Sequence, residues 1–90
     1  MKEIVLDGKL MRSRESAHAY IKAALAFPAY YGGNLDALYD LLSERRRQEL
    51  TVTLINGDML REALGEYGEE IIACFTDAFT RKGGAVFREE

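Results

Sequence analysis

The stretch Phe27-Pro28-Ala29-Tyr30-Tyr31-Gly32-Gly33-Asn34-Leu35-Asp36-Ala37-Leu38-Tyr39-Asp40-Leu41-Leu42 decides how the rest of the chain is read. Pro28 disfavours helical backbone in the residue before it, and so stops whatever element precedes it. Tyr30-Tyr31-Gly32-Gly33 then sets two aromatic rings beside flexible backbone. Asn34 follows as a helix N-cap, with a side-chain oxygen suited to accept from an amide of the first turn. Leu35, Leu38 and Leu42 recur at helical spacing and predict a core-facing stripe, with the helix running to about Ser43. Asp36 and Asp40 lie four residues apart and share a face.

That acidic pair is asymmetric. Asp36 falls in the first turn, where the helix dipole favours negative charge. Asp40 lies beyond that help, and like charges at this spacing cost ~0.2–0.5 kcal/mol on an exposed helix. A lysine at position 40 would serve an isolated helix better. By itself the pair fits a solvated face as well as a functional one. The tyrosines and glycines directly before it favour a binding surface, because aromatic rings, a flexible loop and carboxylates together are what interfaces use.

Upstream, Lys2–Leu6 carries the apolar run Ile4-Val5-Leu6 before the turn signal Asp7-Gly8 and predicts a short strand. Ser13 suits the cap of a first helix, and Ala17, Tyr20, Ile21, Ala24 and Leu25 give it an apolar stripe that ends at Phe27-Pro28. His18 stands one position off that stripe, has no second ligand for a metal, and reads as a surface residue. Downstream, Arg45-Arg46-Arg47 lies between Glu44 and Glu49. Cations near a helix C-terminus explain it better than phosphate binding does.

Thr51-Val52-Thr53-Leu54-Ile55 is the clearest strand, bounded by Asn56-Gly57. Asn56 or Asp58 suits the cap of a short third helix with Met59, Leu60, Ala63 and Leu64, stopped at Gly65. A fourth helix begins near Glu66–Glu69 and buries Ile71, Ile72, Cys74, Phe75, Ala78 and Phe79. Arg81 and Lys82 suit its end, with Gly83-Gly84 as terminator. Cys74 lies in the apolar stripe without a partner base and reads as a small core residue. Ala85-Val86-Phe87 predicts a last short strand. The order β-α-α-β-α-α-β implies parallel strands joined by helical crossovers.

Composition narrows the function classes. Ninety residues predict a single domain spanning 1–90. One cysteine excludes an internal disulfide and suits a reducing, cytoplasmic setting. The start Met-Lys-Glu lacks the apolar region of a secretion signal, and no run is long enough to span a membrane. A net charge of −3 argues against direct nucleic-acid binding, which needs a basic surface. No phosphate loop, nucleophile–base pair or metal-ligand cluster is present, so no cofactor is expected. Asp36 would repel an anion at the Gly32-Gly33-Asn34 turn. The expectation is a protein that is not an enzyme.

The run Tyr-Tyr-Gly-x-Asn-Leu-Asp-Ala-Leu-aromatic-Asp, residues 30–40, resembles the core motif of the barstar family, intracellular protein inhibitors of the ribonuclease barnase. The order of elements along the whole chain fits the same family. The resemblance implies an α/β fold, with a small three-stranded parallel sheet and about four helices packed against it. It also implies a function, inhibition of a guanyl-specific, barnase-type ribonuclease by a Tyr/Gly loop and an acidic helix that take the place of RNA phosphates. Carried over by motif, Tyr30 is the aromatic contact at the enzyme's active-site mouth. Asn34 and Asp36 supply polar and charged contacts, Asp40 is the central carboxylate, and Gly32 and Gly33 let the loop approach closely. Tyr31 and Tyr39 complete the expected contact surface, and Asp77 aligns, through Phe75-x-Asp77-Ala78, with a peripheral acid that is Glu in barstar.

Three departures stand out. Gly33 occupies a Glu position, Tyr39 a Trp position, and the three arginines fall where barstar has apolar and acidic residues. The expected partner is a basic ribonuclease or a related toxin, bound 1:1 by a protein that is monomeric when free. The alternatives are an antidote to a different basic toxin and a non-inhibitory interaction module, such as a homodimer joined through Tyr30, Tyr31 and Tyr39.

Overall fold

Lys2–Asp7, with the apolar run Ile4-Val5-Leu6, form strand β1, whose alternating faces point Ile4 and Leu6 into the core. The computed structural model describes residues 2–80 and 83–90. A 3-10 turn, Gly8–Leu10, follows β1 and leads into helix α1, Arg14–Leu25. Ser13 caps α1 as expected and does so reciprocally. Its hydroxyl accepts from the Ser16 amide at 3.0 Å, and the Ser16 hydroxyl accepts from the Ser13 amide at 2.9 Å. Helix α2 spans Leu35–Arg45, two residues beyond the expected end. Strand β2, Leu50–Ile55, helix α3, Gly57–Leu64, helix α4, Glu66–Phe79, and strand β3, Val86–Glu89, complete the chain. The helix-end reading of Arg81 and Lys82 lies outside the described residues.

The three strands form one parallel sheet in the order β1-β2-β3, with Ile4 opposite Val52 and Val52 opposite Phe87. This is the α/β architecture expected from the sequence. Central strand β2 is the most buried, which is why it reads as an almost continuous apolar run. The core joins Ile4, Leu6, Val52 and Leu54 of the sheet to Ile21 and Leu25 of α1, Leu38 and Leu42 of α2, Leu60 of α3, and Ile71 and Phe75 of α4. Val5 and Val86, on the other face of the sheet, stay exposed.

Two local readings are corrected. Asn56 stands at the start of α3, but its side chain makes no cap. The residue is left-handed, with φ 55°, and its Nδ2 donates to Asp7 Oδ1 at 2.8 Å. It therefore ties the ends of neighbouring strands together instead of holding a helix. His18 is not on the surface. It is 4% exposed, because Tyr31 of the following loop and Tyr67 of α4 lie against its ring.

α1 ends at Ala26, which is left-handed at φ 54° although it has a Cβ. The guanidinium of Arg45, in the last turn of α2, donates to the Leu25 and Ala26 carbonyls and lies over the Phe27 ring at 5.3 Å. A cation from one helix thus satisfies the orphan carbonyls of another, and α2 leaves the Phe27–Asn34 loop at a fixed angle.

Candidate partner-binding surface

The loop between α1 and α2 is built from its own sequence. The Tyr31 amide donates to the Pro28 carbonyl at 3.0 Å, closing a turn. Gly33 takes φ +67°, a conformation that favours glycine. Asn34 then caps α2 as expected, its Oδ1 accepting from the Ala37 amide at 2.8 Å.

The two tyrosines of this loop part company. Tyr30 is 79% exposed. Tyr31 turns inward, its ring centroid 5.0 Å from that of Phe27 and its hydroxyl 2.6 Å from His18 Nδ1. Burial pushes the Tyr31 phenol well above its ordinary range, with the nearby Tyr67 and Cys74 adding to the shift. Of the expected contact residues, Tyr31 therefore supports the loop from beneath. Tyr39 is also half-buried against the core.

Tyr30 and Asp40 border one shallow groove, floored by Gly32, Ala37 and Leu41. Asp36 and Asp40 are exposed on α2, and among the described residues no cation lies within ion-pair distance of either. Across α2, the Cys74 thiol of α4 approaches the Leu35 carbonyl at 3.8 Å. Burial raises this thiol's pKa, and the charges of Asp77, Glu70 and Asp36 raise it further. These charges come from both helices, Asp36 from α2 and Glu70 and Asp77 from α4.

The geometry thus brings Tyr30 and Asp40 to one groove, with Asp36 exposed on the same acidic face of α2 as Asp40 and Asp77 exposed on the neighbouring helix α4. Glu44, four residues after Asp40, borders the same groove and was legible only as a flank of the arginine cluster. Glu70 is a further exposed acid, on α4, that the sequence did not single out. Among the described residues no group of three or more His, Cys, Asp or Glu is arranged to hold a metal ion, and no helix is long and apolar enough to cross a membrane.

Comparison with known proteins agrees with this geometry. Residues 1–88 match the family model described as "Barstar (barnase inhibitor)". The chain belongs to the barstar family. A relative by sequence, the "Putative ribonuclease inhibitor YrdF" of Bacillus subtilis (strain 168), is 36% identical over 78 residues, which cover 87% of this chain and 86% of that protein. The barstar match takes in β1, β2, all four helices and all of β3 but Glu89, so the loop and acidic helix sit on the family's scaffold.

Proposed function

We propose that this protein inhibits a basic ribonuclease of the guanyl-specific, barnase type, in the cytoplasm, as a 1:1 complex and without catalysis of its own. Tyr30 covers the mouth of the enzyme's active site. Asp40 sits at the centre of the contact, with Asn34 and Asp36 beside it and Asp77 at the edge, where the enzyme's cations otherwise hold RNA phosphates. Gly32 and Gly33 admit the close approach, Tyr31 braces the loop, and Tyr39 borders the contact. A carboxylate offers a cationic site the charge of a phosphate but no bond to cleave, so the enzyme is occupied and not turned over.

The observation that carries this reading is an exposed aromatic ring beside an exposed carboxylate that no cation among the described residues neutralises. Family membership and the ribonuclease-inhibitor name of the Bacillus relative support it. Arg45 does not oppose it, since that guanidinium is engaged with the end of α1. A tyrosine-centred homodimer gains little support, because Tyr31 and Tyr39 are half-buried and Tyr30 alone is free.

The test is RNA cleavage by a barnase-type ribonuclease as the protein is titrated in, at low and at high salt. Stoichiometric inhibition is expected, with an association rate that falls as salt screens the approaching charges. No inhibition at micromolar protein would overturn the barnase-type assignment.

A further inference from the structure

The acidic face leaves one feature of the interior unused. His18 is the single histidine of the chain, and both its ring nitrogens are engaged by tyrosine hydroxyls. Nδ1 lies 2.6 Å from the Tyr31 hydroxyl of the loop, and Nε2 lies 2.7 Å from the Tyr67 hydroxyl in the first turns of α4. A neutral imidazole offers one donor and one acceptor. One tyrosine therefore donates to the ring and the other accepts from it, and neither can swing away without leaving a buried nitrogen unpaired. On the far side the Arg14 guanidinium lies over the Tyr67 ring, 4.3 Å from its centroid, and holds that ring in place.

The loop needs such a brace. Its backbone runs through Gly32 and Gly33, where an unrestrained chain has many conformations, yet Tyr30 must present its ring at one angle. We propose that Tyr67 and His18 are positioning residues, which clasp Tyr31 and so set the Tyr30–Gly33 loop in its docking shape before any partner arrives. Tyr67 lies outside the Tyr30–Asp40 groove, so it acts through His18 and not by contact there. The binding consequence rests on the inhibitor reading, whereas the order of the free loop does not.

The clasp also carries a pH signature. Protonation makes both ring nitrogens donors, so the hydroxyl that donated to the ring loses its acceptor. The titratable groups at the ring are Glu15 and Lys22 of α1, beside it in a shallow cavity, Tyr31 of the loop, and Tyr67 of α4; Arg14, Glu70 and Cys74 act on the two tyrosines. Burial holds His18 below the ordinary histidine range.

The experiment is amide hydrogen exchange at Tyr31, Gly32 and Gly33 in free wild-type protein and in Tyr67→Phe, with α4 amides as the control for global stability. It is joined to an NMR titration of wild type. Loop exchange faster by about tenfold relative to α4 is expected in Tyr67→Phe, which lowers the competent fraction of the loop accordingly. In wild type, the loop amide signals are expected to move at the same midpoint as the His18 ring protons. Unchanged loop exchange in the variant, or loop signals indifferent to the His18 titration, would overturn the proposal; the titration decides it even where the variant fails to fold. Against a nuclease that wild type inhibits, Tyr67→Phe should associate several-fold more slowly, and equal inhibition despite a loosened loop would refute the role in docking. A wild type that inhibits no nuclease would sink the inhibitor reading and leave the exchange comparison to judge the clasp.

Discussion

Asp40 stands on an exposed helix face four residues after another aspartate, at a position where neither the helix dipole nor a neighbouring cation among the described residues helps it. Its worth therefore lies outside the free molecule. Asp40→Ala is expected to leave thermal stability unchanged or slightly raised, while weakening a ribonuclease complex by about 2–5 kcal/mol, the cost of truncating one member of a desolvated ion pair (a range drawn partly from the barnase–barstar complex itself). Paired calorimetry of the free variant and inhibition titrations of the complex check both halves. Gly8 shows the opposite kind of residue, valuable only to the fold. A Cβ there would collide with the Asn56 carbonyl, where the ends of β1 and β2 meet. Gly8→Ala should lower stability by about 1–3 kcal/mol through overpacking, read from urea unfolding, and leave the acidic face untouched. His18 marks what a residue-level reading missed. Counted from Ala17 it falls beside the apolar stripe, yet His18, Ile21 and Leu25 are themselves spaced at i, i+3 and i+7, and all three are buried. The pattern was present, but a polar ring was discounted because its two hydroxyl partners lie 13 and 49 residues away.

Helices and strands were legible where local chemistry alone decides them. Ser13 and Asn34 cap as their side chains dictate, and the apolar run of β2 needed no context. What escaped was every feature that one element imposes on another. Asn56 left its helix to join Asp7 across the sheet, and Arg45 served α1 rather than its own helix end. The candidate site was half-legible for the same reason: the α2 residues follow from helical spacing, whereas Asp77 came from family resemblance, because the packing of α4 on α2 is a tertiary fact. The end of α1 offers a test at this scale. Ala26 holds a left-handed conformation that costs a non-glycine residue roughly 1–2 kcal/mol, partly offset by the greater chain entropy glycine loses on folding. Ala26→Gly should therefore raise stability by up to about 1 kcal/mol. Arg45→Ala, which strips the carbonyls of Leu25 and Ala26 of their donor, should lower it by about 1–2 kcal/mol. Denaturant midpoints of the two variants and of the double mutant would show whether relief of the first lessens the cost of the second.

For the molecule as a whole, the buried histidine fixes the sign of the pH response. The folded state holds His18 below its ordinary value of 6.5, so the unfolded chain takes up the proton first. The stability that His18 contributes is complete above that value, declines as pH falls from it to the folded-state value, and changes no further below. Urea midpoints measured between about pH 5 and pH 8 should fall on the acid side, and His18→Gln should flatten that part of the profile. The parallel sheet sets a further condition on the molecule. α1, the Tyr30–Gly33 loop and α2 all belong to the crossover between β1 and β2, and Lys2 pairs with Leu50 only when that crossover closes. No part of the docking surface on α2 is fixed by a local hairpin. During synthesis the loop leaves the ribosome before Leu50–Ile55 exists to pair with β1, and Tyr67, which steadies it from α4, is translated later still. On the proposed inhibitor reading, a cell making this protein thus holds, on each unfinished chain, the recognition sequence without the recognition shape, and the nascent polypeptide is blind to its target until translation has passed the fourth helix.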